Sequence, residues 1–181
     1  MNTVLKHIVA RTYKPLLVKY LSKTRVYRYK DMRLEIPPEV FHPGFFFSTQ
    51  LLLQYINTLP LPEKLFLELG CGSGLISMAA AKQGAMVTAT EINPVAIDYL
   101  KKNVRHNKVK LEIIQSDLFT DVPKKKYDII AINPPYYKKD PVTLQDHAWF
   151  CGENGEYFSA LFNTIDGYIH SDTEILMVLF D

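Results

Sequence analysis

The chain has 181 residues, 48% hydrophobic and 22% charged, the balance of one soluble domain with a sizeable core. Its two cysteines, Cys71 and Cys151, are too few for a disulfide framework, and no zinc-ligand spacing occurs. Lys6, Arg11 and Lys14 interrupt any signal-peptide core, and no apolar run approaches the ~20 residues of a membrane span, so a cytoplasmic protein without membrane contact is expected. The net charge of +2 is unevenly spread. Residues 1–40 carry nine Lys/Arg against three acids, a balance of +6, and the remainder is at −4. Such a basic lobe suits a polyanionic or ribosomal partner, or equally a helix and a hairpin solvated by charge.

In chain order, residues 3–22 repeat apolar side chains at helical spacing, with Pro15 as a break or kink. Residues 25–29 and 32–36 alternate polar and apolar around Lys30-Asp31, which predicts a hairpin closed by Pro37-Pro38. His42-Pro43-Gly44 makes a turn, and Ser48 or Thr49 is expected to cap a helix from Gln50 to about Thr58. From Lys64 the rhythm becomes strand, helix, strand. Strands are expected at 65–69, 86–92, 111–115, 127–132 and 174–180, with helices over 74–82, 94–107 and about 155–168. That alternation predicts an α/β fold with a Rossmann-like, doubly wound parallel sheet, right-handed crossovers and ligands at the carboxyl ends of the strands.

Glu68-Leu69-Gly70-Cys71-Gly72-Ser73-Gly74 follows the first of these strands. Its glycines allow a tight turn and keep side chains out of the space between backbone and ligand. The spacing is neither that of a dinucleotide fold nor that of a phosphate loop, which disfavours a nicotinamide oxidoreductase. Twenty-one residues past Gly70, Glu91 ends the second strand, where a carboxylate can accept both hydroxyls of a ribose. After the third strand, Asp117 in Ser116-Asp117-Leu118-Phe119 can accept from an adenine amino group while Phe119 or Ile92 covers the ring. Three successive strand ends thus offer parts for a nucleoside-bearing cofactor. In this the chain resembles the class I S-adenosylmethionine-dependent methyltransferases over about residues 44–181.

Asn133-Pro134-Pro135-Tyr136 follows the apolar fourth strand. An amide or aniline-like NH2 is a poor nucleophile, because its lone pair is delocalised into the neighbouring π-system. Accepting both its hydrogens pulls the nitrogen toward tetrahedral geometry and stabilises the positive charge that develops as a methyl group arrives. The Asn133 side-chain oxygen and the Pro134 carbonyl suit that task, and Tyr136 offers a face for a planar group. The motif resembles that of N-methyltransferases acting on exocyclic amines of bases or on glutamine. His42–Thr49 and Gly152–Phe158 resemble flanking segments of the HemK-type and small-domain enzymes, and the hairpin resembles that of release-factor methyltransferases.

The resemblance implies catalytic roles for Asn133, Pro134 and Tyr136. It implies cofactor contacts from Thr49, Glu68, Gly70, Cys71, Gly72, Gly74, Glu91, Ile92, Asp117, Leu118, Phe119 and Asn133. S-adenosyl-L-methionine is the implied cofactor, with S-adenosyl-L-homocysteine as product. The implied acceptor is a planar NH2 group in RNA or in a translation or ribosomal protein, and no metal is expected. The rival reading is a catalytically silent cofactor-binding module that assembles with a partner. Residues 1–43 are expected to form a helix-and-hairpin extension and 44–181 the cofactor domain, with strand order 3-2-1-4-5. The family's final helix and hairpin have no counterpart here, and 174–180 reads as a strand covered on both faces. A shortened form of a longer chain, or an edge strand covered by another subunit, is therefore expected.

Overall fold

The computed structural model describes residues 14–179. Of the helix expected over 3–22, residues 3–13 lie outside the described residues, and the described part forms α1 (Lys14–Leu21). The hairpin forms as expected, with β1 (Arg25–Tyr29) antiparallel to β2 (Met32–Ile36) and Tyr29 opposite Met32. Met32, Leu34 and Ile36 point inward and are buried. The outer backbone edge of β2 is closed by two side chains of α4 (Pro94–His106) and its C-cap rather than by a third strand. Asn107 accepts from the Arg33 N–H at 2.8 Å and donates to its carbonyl at 2.8 Å; Asn103 does the same for Glu35 at 2.8 and 3.1 Å. The spacing explains the match: four helical residues rise about 6 Å and two strand residues about 6.6 Å.

The central sheet contains β3 (Leu65–Leu69), β4 (Met86–Glu91), β5 (Glu112–Gln115), β6 (Tyr127–Ile132) and β7 (Ile169–Met177). Its order is β5-β4-β3-β6-β7 and every pairing is parallel, the expected 3-2-1-4-5 arrangement. Successive strand residues serve opposite faces. Phe66, Ile129 and Ala131 join a core with β2, α2 (Phe47–Ile56) and α3 (Leu75–Lys82); Leu67, Leu69, Ile130 and Ile132 join a second core with Leu161, Ile165 and Tyr168. Leu161 belongs to α5 (Glu156–Thr164), which continues as a 3-10 turn over Ile165–Tyr168. Each fully buried aliphatic side chain in these layers contributes about 1.5–3 kcal/mol.

Two elements differ from expectation. Helix α2 begins at Phe47, three residues early, with Phe46 in extended conformation before it and no side-chain cap. Ser48 and Thr49 are buried inside its first turn, so packing rather than capping sets this helix start. Strand β7 begins at Ile169, five residues early, and lies at the sheet edge with Glu174 exposed and Ile175 40% exposed. It is not covered on both faces, and its polar segment His170–Thr173 is accommodated by a shift in pairing register between Tyr127 and Ile129. The adjacent side chains of Phe45, Phe46 and Phe47 do not all turn inward: Phe47 is 65% exposed and Phe45 is 38% exposed. Among the described residues, no helix is long and apolar enough to cross a membrane.

Candidate functional site

The carboxyl ends of β3, β4, β5 and β6 open onto one cleft. Its floor is the turn from β3 into α3. Gly70, Gly72 and Gly74 have φ of +68°, +49° and +72°, the left-handed region in which a side chain is strained. At Gly70 a Cβ would meet nothing within 4 Å, which leaves bare backbone facing open space. Gly74 has a different reason: its Cβ would lie 2.1 Å from Leu100 Cδ1, so its hydrogen lets α4 pack against the turn. Gly74 does not line the cleft and supports the turn from beneath. Cys71 is 5% exposed and its thiol is pushed well up by burial, which disfavours the thiolate.

Glu91 fixes this turn to the end of β4. Its Oε2 accepts from the Gly72 N–H at 2.8 Å and its Oε1 from the Asn93 N–H at 2.9 Å. Burial raises its pKa, while these two N–H groups pull the other way. A carboxylate has about four lone-pair directions, so each oxygen retains one for a ligand hydroxyl. Glu68 is 5% exposed and accepts at Oε2 from the Ser77 N–H at 2.8 Å and from the Ser77 hydroxyl. Burial pushes its carboxyl up to about 8 against the opposing Ser77 bonds, and the charge of Glu91 adds to the rise.

Glu68 therefore carries a pH signature. Its folded pKa of about 8 stands above the ordinary 4.5, so the folded chain holds the proton more tightly than the unfolded one. The stability this contributes is complete below about pH 4.5 and is lost as pH rises through 8, at up to about 1.4 kcal/mol per pH unit. Glu68→Gln keeps a carbonyl for Ser77 and is expected to flatten that decline. Urea unfolding at several pH values checks it, and an unchanged slope in the variant would assign the proton elsewhere.

Asp117 and Leu118 line the wall beyond β5, as does Ile92 beyond β4. Leu118 has φ +46°, an uncommon conformation for a branched residue, at the wall of the cleft. Phe119 corrects the sequence expectation. It is 3% exposed, stacks on Tyr168 at 4.3 Å and belongs to the second core, whereas Ile92 and Leu118 line the cleft. Tyr157 of α5 also lines the cleft. Burial raises its phenol, and the charges of Asp117 and Glu91, which line the same cleft, add to the rise.

The opposite end is built by the exit of β6. Asn133, Pro134 and Tyr136 line the cleft together with Thr49 of α2. Asn133 Oδ1 is buried without a hydrogen-bond partner, a condition that costs about 1–3 kcal/mol unless a ligand relieves it. The chain leaves the motif along Tyr137, whose N–H bonds the Trp149 carbonyl at 3.0 Å and whose carbonyl accepts from the Cys151 N–H at 2.9 Å. The loop between these bonds brings Leu144, His147 and Ala148 to the rim. Those three, with Glu39–Phe41, Asn93 and Tyr157, are not marked as site residues by the sequence pattern. Only Tyr157 carries a signal, inside the segment Gly152–Phe158. Among the described residues no group of His, Cys, Asp and Glu is arranged to hold a metal.

The family model described as methyltransferase small domain matches residues 32–150. A Methanocaldococcus jannaschii protein whose name provisionally assigns it N5-glutamine methyltransferase activity is 40% identical over 108 residues, 59% of this chain and 52% of the relative. The release factor glutamine methyltransferase of Streptococcus pneumoniae is 37% identical over 112 residues, 60% of this chain and 39% of the relative. The chain thus spans about half, or less, of the length of these curated relatives. Among solved structures, a Thermus thermophilus 16S rRNA N2 G1207 methyltransferase in complex with AdoMet and guanosine superimposes with a TM-score of 0.58. At 22% identity, over 70% of this chain and 37% of that one, it speaks for the fold.

Proposed function

The chain belongs to the methyltransferase small-domain family, and from that premise we propose that it transfers a methyl group from S-adenosylmethionine to a planar NH2 group. The observation that carries this reading is Asn133 Oδ1, a buried acceptor without a partner among the described residues, at the carboxyl end of the strand beside the glycine turn. A silent binding module has no use for such an atom. The acceptor class is a glutamine side-chain amide of a translation or ribosomal protein, or an exocyclic amine of an RNA base. A cytoplasmic setting and the division into an extension, 1–43, and a cofactor domain, 44–181, belong to the same proposal. The extension is more than an appendage, since Glu39, Val40, Phe41 and Pro43 line the cleft.

The residues present fit the cofactor. Gly70 leaves open space above bare backbone, Glu91 retains lone pairs for ribose hydroxyls, and Asp117 stands one strand further along. S-adenosylmethionine, when bound, supplies a methyl group on a positively charged sulfur. The remaining work falls to the chain. Asn133 Oδ1 and the Pro134 carbonyl accept the two hydrogens of the NH2 group and concentrate its lone pair on nitrogen. Proline keeps a competing N–H out of this position. Tyr136 and the buried prolines exclude water, which strengthens those hydrogen bonds. No side-chain base is needed before methyl arrival, because the proton leaves a nitrogen that has become cationic.

The test uses the purified chain, labelled S-adenosylmethionine, and separately tRNA, rRNA, ribosomal proteins and release factors. One class is expected to acquire methyl on nitrogen, and calorimetry is expected to detect S-adenosylhomocysteine binding. Absence of binding to both the cofactor and its product would overturn the reading.

A further inference from the structure

Behind the segment Glu39–Phe41 lies a second recess, which shares that segment and Ala148 with the cleft as a common wall. Its other side is formed by Lys23, Arg25, His42, Phe46 and Trp149. Three rings gather there: Phe41 stacks on Phe46 at 3.8 Å, and Trp149 stands 5.1 Å from each. None of the three residues is fully buried, and all three line the recess. The Arg25 guanidinium is held in place by a bond to the Tyr20 carbonyl and by contact with the Tyr20 ring at 3.9 Å, with other N–H groups to spare. Two cations, Lys23 and Arg25, thus line the recess beside the single carboxylate of Glu39.

His42 supplies a separate observation. It is only 6% exposed, and its Nδ1 accepts from the Gly44 N–H at 3.2 Å. Because Nδ1 accepts, the ring proton sits on Nε2, and burial lowers the pKa in the direction of this neutral form. That Nε2 is buried with no partner, a donor left over in a residue that lines the recess.

We propose that this recess seats the nucleotide next to the methylated base, which makes the acceptor a single-stranded RNA segment. The inference rests on the N-methyl transfer proposed above and narrows its acceptor. Rings stack a base of any sequence, Lys23 and Arg25 neutralise its phosphate, and the His42 Nε2–H donates to a ring carbonyl or ring nitrogen. A segment spanning the shared wall places its target base at Asn133 and the neighbouring base among the three rings. The excess of nine basic over three acidic residues in positions 1–40 has the sign such a strand requires. A peptide carrying a glutamine calls for neither the ring cluster nor the two cations.

The experiment measures anisotropy of a labelled short single-stranded RNA of mixed sequence with the full chain, S-adenosylhomocysteine present throughout. Trp149→Ala is expected to weaken RNA binding roughly 5- to 150-fold. The pair Lys23→Glu and Arg25→Glu is expected to make the log–log salt slope shallower by about 0.7 for each phosphate that is no longer neutralised. S-adenosylhomocysteine affinity, read by calorimetry, is expected to match wild type in both variants and reports that each is folded. RNA binding unmoved in both variants would overturn the inference and leave the methyl-transfer reading standing. Displacement of the RNA by a glutamine-bearing peptide would overturn it too, by giving the recess to a polypeptide. A wild-type chain that binds no S-adenosylhomocysteine would remove both.

Discussion

Replacing Asn133 with alanine is expected to lower turnover about 10²- to 10³-fold while cofactor affinity stays within a few-fold of wild type. The reason lies in when the Asn133 oxygen gains its partners. In the described structure it is buried and unpaired, and in the proposed reaction it meets strong donors only when the NH2 group arrives. As methyl transfer proceeds, that group gains positive charge and its hydrogens become better donors, so the bond strengthens on the way to the transition state. Removing such an interaction lowers kcat rather than raising KM. Asn133→Asp is the informative second variant. It keeps an acceptor and adds a charge, so it is expected to retain more activity than alanine. Single-turnover kinetics with the identified acceptor, paired with calorimetry, reads both quantities. Wild-type turnover in the alanine variant would remove Asn133 from the chemistry.

The sheet is legible in the sequence because its signals are local. Leu65–Leu69 and Tyr127–Ile132 are apolar runs closed by glycine or proline, and Asn93 caps α4 in front of Pro94 through the Val95 N–H at 2.9 Å. The start of α2 is not, because Ser48 and Thr49 look like caps until the core claims them. Strand β7 begins in a polar stretch that reads as loop; at a sheet edge, where one side is solvent, polarity does not exclude a strand. Phe119 shows the same limit within the site. Its position after β5 is plain from the pattern, but which side of the loop it takes depends on Tyr168, 49 residues later. His147, Leu144 and the Glu39–Phe41 segment reach the cleft only through long-range packing, and nothing in their local pattern marks them.

Glu91→Ala is expected to weaken S-adenosylhomocysteine binding roughly 10- to 150-fold, the loss of a charged two-point hydrogen bond of about 1.5–3 kcal/mol. The substitution does two things at once, because Glu91 also holds the N–H groups of Gly72 and Asn93. A loosened glycine turn would weaken binding even if no ribose ever touched the carboxylate. A cycle separates the two effects. An analogue lacking the ribose hydroxyls is expected to bind wild type about as poorly as the parent ligand binds Glu91→Ala. The variant itself is expected to discriminate little between parent and analogue, since the group that reads the hydroxyls is gone. The raised pKa of Glu91 adds a direction in pH: the carboxylate is neutralised at higher pH than an exposed glutamate, so discrimination by wild type fades early on acidification. If the variant discriminates as strongly as wild type, Glu91 braces the turn and the ribose is held by another group. The remaining acid on the nucleoside side, Asp117, would then be the residue to replace.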